Sequence, residues 1–485
     1  LVFGPEDKGL SNEHLGRLYI NRGKKSPGRF DDKTEEWGLP TTIDDGHGTL
    51  FFDLEGDGDL DLLVLRSEHS SLLFLQEEGR FIDGTAKSGL RTTRGSHAAT
   101  IFDYDQDGDL DLYIGYYGSR EANRNPGKVR SLPSVDGRNG TPNQLWRNDA
   151  GKLTEVGAKL GVADVGWTLA LGAFDYDDDD DLDLYLANDF GPNALYRNDG
   201  DKGFSNQTQE SGTDDRGSGM NVDITDINGD GSWDFYVTNI DMFSKNIKVV
   251  FPRDESTINI SETLTRAFQY IAGNKLYVSL GEGRFEAQDS SSMEPIDRGW
   301  GWDAAFFDDD HDGDDDLYVT NGWVDGSYAG DQKNQLYVSH QGAFFLAPDG
   351  SAESFAGNSL SSATVDIDRD GDLDLVLNNF RQPPRVLKNL TRNKNRWVQL
   401  RLKGAALNPY ALGAKVTITA GKRVILRQVT GGRGYISQSD TTVHAGVADA
   451  ATVDLEILWP DGSRSEASGL TSNKLHEIEQ PKSGS

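Results

Sequence analysis

One acidic nonapeptide recurs six times and limits the possible folds more than any other feature. The copies run from Asp53 to Asp61, Asp103 to Asp111, Asp175 to Asp183, Asp226 to Asp234, Asp308 to Asp316 and Asp366 to Asp374. A supersecondary unit repeated at this density implies an array of equivalent blades or coils, not one irregular core. Oxygen-bearing side chains recur at the first, third, fifth, seventh and ninth positions. They are Asp53, Glu55, Asp57, Asp59 and Asp61; Asp103, Asp105, Asp107, Asp109 and Asp111; and Asp175, Asp177, Asp179, Asp181 and Asp183. The last three copies supply Asp226, Asn228, Asp230, Ser232 and Asp234; Asp308, Asp310, Asp312, Asp314 and Asp316; and Asp366, Asp368, Asp370, Asp372 and Asp374.

This spacing suits a hard divalent cation. The first, third and fifth side chains converge on one point, Gly at the sixth position permits a sharp turn, the seventh offers a carbonyl, and the ninth Asp closes the cage. About six structural Ca²⁺ ions are expected. The third copy departs most, with Asp180 where the others have Gly. An EF-hand is ruled out, because its twelfth position needs a bidentate Glu and these loops have Val64 and Ile114 there. Each loop also runs into alternating residues such as Asp181-Leu-Asp-Leu-Tyr-Leu186, the period of a strand.

Composition narrows the partners. The formal charge of -31 repels nucleic acid and anionic lipid, and the absence of cysteine removes disulfides and thiolate metal sites. No apolar run approaches the roughly 20 residues of a membrane span, and no basic-then-apolar leader opens the chain, so a secreted, extracellular or periplasmic monomer without membrane insertion is expected.

A second signature follows the loops: Asn143-Gln-Leu-Trp-Arg-Asn148, Asn193-Ala-Leu-Tyr-Arg-Asn198, Asn274-Lys-Leu-Tyr-Val-Ser279 and Asn334-Gln-Leu-Tyr-Val-Ser339, each leading to a short Phe-containing strand. Apolar strand, metal turn, alternating strand, Leu-Tyr strand and Phe strand make a four-stranded antiparallel blade. The Leu-Tyr element also stands at Gly16–Asn21 without a loop before it, which predicts seven blades with six loops. The fold class is therefore all-β, a seven-bladed β-propeller over residues 1–392. A small separate β-sandwich is expected over 393–480, where Val, Ile and Leu alternate without a metal loop, followed by a tail at 481–485.

Phe102-Asp-Tyr-Asp-x-Asp-Gly-Asp-Leu-Asp111 resembles the FG-GAP or VCBS repeat of integrin-like propellers. Leu412-Gly-Ala-Lys-Val416, Gly432-Arg-Gly-Tyr-Ile-Ser-Gln438, His444-Ala-Gly446 and Trp459-Pro-Asp-Gly462 resemble the ASPIC/UnbV domain, also found in the cartilage acidic protein family. The resemblance implies an extracellular calcium-binding protein. It does not settle activity, because the family spans adhesion-type proteins and enzymes.

Alternate connections of a meander lie on the same face, so the metal turns occupy one face and any ligand mouth the other. Six residues before each first Asp stand His47, His97, Leu169, Met220, Trp302 and Leu360, a ring of unlike side chains beside Trp167, Arg216, Arg298, Trp300 and Asp303. Insertions at 116–142, 240–273 and 321–333 are expected over this mouth, the middle one with a short helix at 261–271. Two functions fit. The first is a binding module whose mouth takes a protein, glycan or small molecule through Trp167, Met220, Arg216, Arg298, Trp300 and Trp302. The alternative is a calcium-stabilised lyase, isomerase or cyclase in which His47, His97 and Asp303 do acid–base work.

Overall fold

A computed structural model describes residues 2–5, 13–23, 26–128, 131–134, 136–240, 273–288, 300–322, 333–340, 342–348, 358–380 and 382–482 of the chain. Among them the only α-helices are Thr85–Ser88 and Arg120–Arg124, one 3-10 turn spans Gly200–Lys202, and most of the rest is strand and turn. The all-β expectation holds.

Short strands with period-two burial build antiparallel meanders. The first runs through Gly46–Phe52, Asp61–Arg66, Leu72–Glu77 and Arg80–Asp83. Its opening strand alternates buried and half-buried side chains, whereas Asp61–Leu65 is buried throughout because neighbouring sheets cover both of its faces. Four more four-stranded sheets repeat this order, opening with Ser96–Phe102, Trp167–Phe174, Asn221–Thr225 and Gly301–Phe307, and a three-stranded sheet opens with Ser359–Val365. These opening strands pack side by side in chain order. The N-terminal strands Val2–Pro5 and Glu13–Arg17 lie against Gly46–Phe52, and Val2–Pro5 also lies against Asp374–Asn379, so they bridge the first sheet to the last.

A side-chain clamp runs between neighbouring sheets. An Asn at or just past the end of a sheet's third strand donates from Nδ2 to the second-position carbonyl of the preceding sheet's loop: Asn148 to Leu54, Asn198 to Tyr104 and Asn389 to Asp309. Asn21 makes the same bond to Ile367 O at 2.7 Å, which ties the loop-less Leu-Tyr segment to the sixth loop.

Beyond residue 395 two sheets face one another. One holds Val443–Ala448, Arg396–Lys403 and Lys474–Glu479; the other holds Arg423–Gln428, Lys415–Ala420, Thr452–Leu458 and Arg464–Thr471. They are not packed as a separate body. Val398, Leu400, Val416, Ile418 and Trp459 join Leu50, Phe52, Leu112 and Ile114 in one continuous apolar cluster.

Candidate functional sites at the two ends of the ring

All six acidic loops have one backbone solution. The fourth position is left-handed in every loop, at Gly56, Gln106, Asp178, Gly229, His311 and Arg369, and so is the sixth, at Gly58, Gly108, Asp180, Gly231, Gly313 and Gly371. Asp180 adopts φ 69° where the others use glycine, and Asp tolerates this region better than most residues. The first carboxylate is cradled by amides across the turn: Asp53 accepts from Gly56, Asp57 and Gly58, and Asp308 accepts from Asp312 and Gly313. The ninth carboxylate ties the loop to the sheet. Asp111 accepts from Tyr104 N and Asn148 N, and Asp234 accepts from Ile227 N and Ser279 N.

These bonds leave the inward oxygens aimed at one another. Carboxylate oxygens of the first, third and ninth residues lie within 4.8 Å at Asp103, Asp105 and Asp111, at Asp175, Asp177 and Asp183, at Asp308, Asp310 and Asp316, and at Asp366, Asp368 and Asp374. The third loop, with its unusual Asp180, thus converges like the others. In the first and fourth loops Glu55 and Asn228 hold the third position within the same amide cradle. Buried Asp109 Oδ1, Asp175 Oδ2, Asp177 Oδ1, Asp181 Oδ1 and Asp368 Oδ1 have no hydrogen-bond partner among the described residues. Burial, with like charge added, pushes Asp61 up to about 8, Asp103 and Asp234 up to about 7 and Asp316 up to about 11. Buried oxygens in this arrangement fit a hard cation with several oxygen ligands.

The C-terminal sheets sit over this end. Lys415 Nζ reaches Asp178 at 2.9 Å and Arg464 reaches Asp180 at 2.7 Å; Arg423 meets Asp314 at 2.9 Å, and Arg427 meets Asp315 at 2.6 Å. Gln399 donates to Asp366 and His444 Nε2 bonds Gly371 O.

At the opposite end the sequence-derived ring assembles, with its centre filled. Leu169, Met220, Trp300 and Tyr435 form a buried apolar cluster edged by Tyr117, Trp302, Leu360 and Ile436. The His47 and His97 rings lie 4.8 Å apart, and His97 shares a 3.0 Å hydrogen bond with Tyr435 OH. Tyr435 lies 5.3 Å from Trp302, so a side chain of the chain itself stands between two members of the ring. Burial, and then the neighbouring His47, hold His97 well below its usual range. Trp167 donates to Asn139 and packs edge-on to Tyr117, so the 116–142 insertion does reach the mouth. Trp302 donates to Gly322 O and stacks on Trp300.

Asp303 lies within the ring wall. Its carboxylate accepts from Ser362 N and Oγ and from Tyr435 N, it is 1% exposed, and burial pushes it up to about 7. Arg216 is exposed and pairs with Asp214, while Arg298 and the helix expected at 261–271 lie outside the described residues. A carboxylate that sequence reasoning missed stands at the mouth: buried Asp189 accepts from Tyr117 OH at 3.0 Å. Phe190 beside it has φ 60°, a strained setting for an aromatic residue. No local motif marks Asp189, which closes an ordinary strand.

Residues 53–114 and 175–237 match the FG-GAP-like repeat, and 404–485 match the ASPIC and UnbV family. The chain therefore carries FG-GAP-like repeats and an ASPIC/UnbV domain. Cartilage acidic protein 1 of Xenopus tropicalis is 27% identical over 313 residues, covering 60% of this chain and 42% of that protein. The Homo sapiens protein of the same name is 26% identical over 318 residues, 62% of this chain and 42% of its own length. The chain thus spans less than half the length of these curated relatives. Among solved structures, a Bacillus licheniformis rhamnogalacturonan lyase is 12% identical and overlaps 96% of this chain and 77% of its own, with a TM-score of 0.36. The V. cholerae biofilm matrix protein Bap1 is 12% identical over 78% of this chain and 61% of its own, with a TM-score of 0.31. Overlaps this loose do not bear on activity. Among the described residues no helix is long and apolar enough to cross a membrane.

Proposed function

We propose that the chain is an extracellular calcium-stapled β-propeller whose six loops each hold one structural Ca²⁺, and whose opposite mouth binds a protein, glycan or small-molecule ligand. The observation that carries this reading is the set of buried carboxylate oxygens without hydrogen-bond partners, held pointing together by backbone amides. Calcium would supply charge neutralisation and turn rigidity there. Extracellular calcium modules bind at about 10⁻⁴–10⁻³ M, a level that extracellular calcium fills. Because the C-terminal sheets cover the loop end, the aromatic mouth around His97, Trp167 and Trp302 is the end left for recognition.

A second reading is acid–base catalysis at the same mouth, favoured by one observation: His97, held below its usual range, stands beside His47 and next to the Tyr117–Asp189 pair. Calcium titration by calorimetry into chelator-stripped protein tests the first reading. Saturable binding with a raised melting temperature supports it, whereas no heat and an unchanged melt overturn it. If His47→Ala and His97→Ala leave turnover of any identified substrate intact, the catalytic reading fails.

A further inference from the structure

Residues Gln428 to Asp440 leave the C-terminal sheets and enter the ring. Counting back from each loop's first Asp gives the depth of every contact. Gln428 Nε2 donates to Ala173 O and Ile101 N donates to Gly431 O, both two residues deep. Thr100 Oγ1 donates to Gly432 O, and Arg433 Nε meets Asp223 Oδ1 at 3.0 Å, both three residues deep. Tyr435 N donates to Asp303 Oδ1 five residues deep, and its ring reaches Trp302 and His97 at six. The segment then returns: Gln438 exchanges two hydrogen bonds with the Phe51 backbone, and Asp440 N bonds Thr364 O, again two residues deep.

The contacts therefore trace a hairpin that enters at the loop end and turns with Tyr435 at the mouth. Its glycines explain themselves. A Cβ on Gly431 would lie 2.0 Å from Ile101 O and one on Gly432 would lie 2.7 Å from Leu50 Cδ2, while both Gly432 and Gly434 are left-handed.

We propose that this hairpin is a pin through which the C-terminal domain delivers Tyr435 to the far mouth, making Tyr435 the positioning residue that fixes the His97 ring. The two ends of the ring then act as one device: a contact made by the C-terminal domain sets the geometry of a side chain at the recognition end. The inference deepens the mouth assignment above and rests on it for its functional meaning, but its tests need neither calcium nor a ligand.

Tyr435→Phe keeps the ring and removes only the hydroxyl. In protein with ¹⁵N-labelled histidine, the variant should shift the His97 Nε2 resonance and its tautomer balance, leave the histidines other than the adjacent His47 unmoved, and melt within about 1 kcal/mol of the parent, the usual worth of one hydrogen bond. His97→Gln identifies the resonance. Native-state hydrogen exchange should find the Tyr435 and Ile101 amides protected like inner-strand amides. Unchanged His97 signals in Tyr435→Phe would overturn the positioning role, and a Tyr435 amide exchanging as fast as exposed loop amides would overturn the pin. If both tests succeed but the mouth takes up no ligand, only the recognition reading is lost.

Discussion

Arg433 and Asp223 make the sharpest energetic test of the pin. Arg433 Nε lies 3.0 Å from Asp223 Oδ1, whose side chain is 2% exposed. Removing one partner of a buried ion pair costs about 3–5 kcal/mol, because the other charge is left uncompensated. Asp223 retains two backbone donors, Phe306 N at 2.7 Å and Ile224 N at 3.0 Å, which sets Arg433→Ala at the lower end, about 3 kcal/mol. Unfolding entropy of about 2.1 cal/mol/K per residue comes to about 1 kcal/mol/K for this chain, so the melt should fall by about 3 °C. The diagnostic is the cycle. Asp223→Asn keeps an oxygen for Phe306 N and removes the charge, so the double variant should lie only about 1 kcal/mol below Asp223→Asn alone, the worth of the Arg433 Nη1 bond to Ile224 O, which leaves a coupling of about 2 kcal/mol. Calorimetric scans in calcium buffer measure all four proteins. Additive losses, or a neutral Arg433→Ala, would show that the hairpin is not seated as described.

Three further outcomes follow from the loops and the clamps. Asn148→Ala removes a buried donor to Leu54 O and an acceptor from Gly151 N, and should cost about 2–3 kcal/mol in urea titrations; a loss below 0.5 would remove the clamp from the account. Asp180→Gly relieves a left-handed aspartate at the expense of one exposed ion pair, and should raise stability by about 0.5–1 kcal/mol; a lower melt would contradict the backbone argument. In chelator, Asp61, Asp103 and Asp234 have folded values near 8, 7 and 7 against about 4 unfolded. Their contribution is complete below pH 4 and is lost progressively until pH has risen through the folded values, so the stripped protein should weaken from about pH 4 to about pH 8 and calcium should abolish the decline. A flat profile in chelator would refute this.

Much of this fold was legible because its determinants are local and repeated. The loop spacing gives the acidic turns, the period-two alternation gives the strands, and the Leu-Tyr segment at Gly16–Asn21 bonds to the sixth loop, where Asn21 grips Ile367. The ring of His47, His97, Met220 and Trp302 was also readable, since equal offsets from equivalent loops put side chains at equal depth. What escaped the sequence was long-range. Nothing near residue 435 says that Tyr435 lies beside His97, 338 positions away, or that Asp303 binds the pin backbone. The conspicuous glycines at 431, 432 and 434 were the available clue, since they mark close backbone approach, but not the surface approached. Asp189 gave no clue, because its role depends on Tyr117 from the neighbouring sheet.

Elemental analysis of the purified protein, dialysed to equilibrium against buffered calcium, bears most directly on the central claim. Several calcium ions per chain, approaching six, are expected, with a stepwise loss when the first Asp of individual loops is changed to Ala. Protein that retains none, while folded and monomeric, would contradict it.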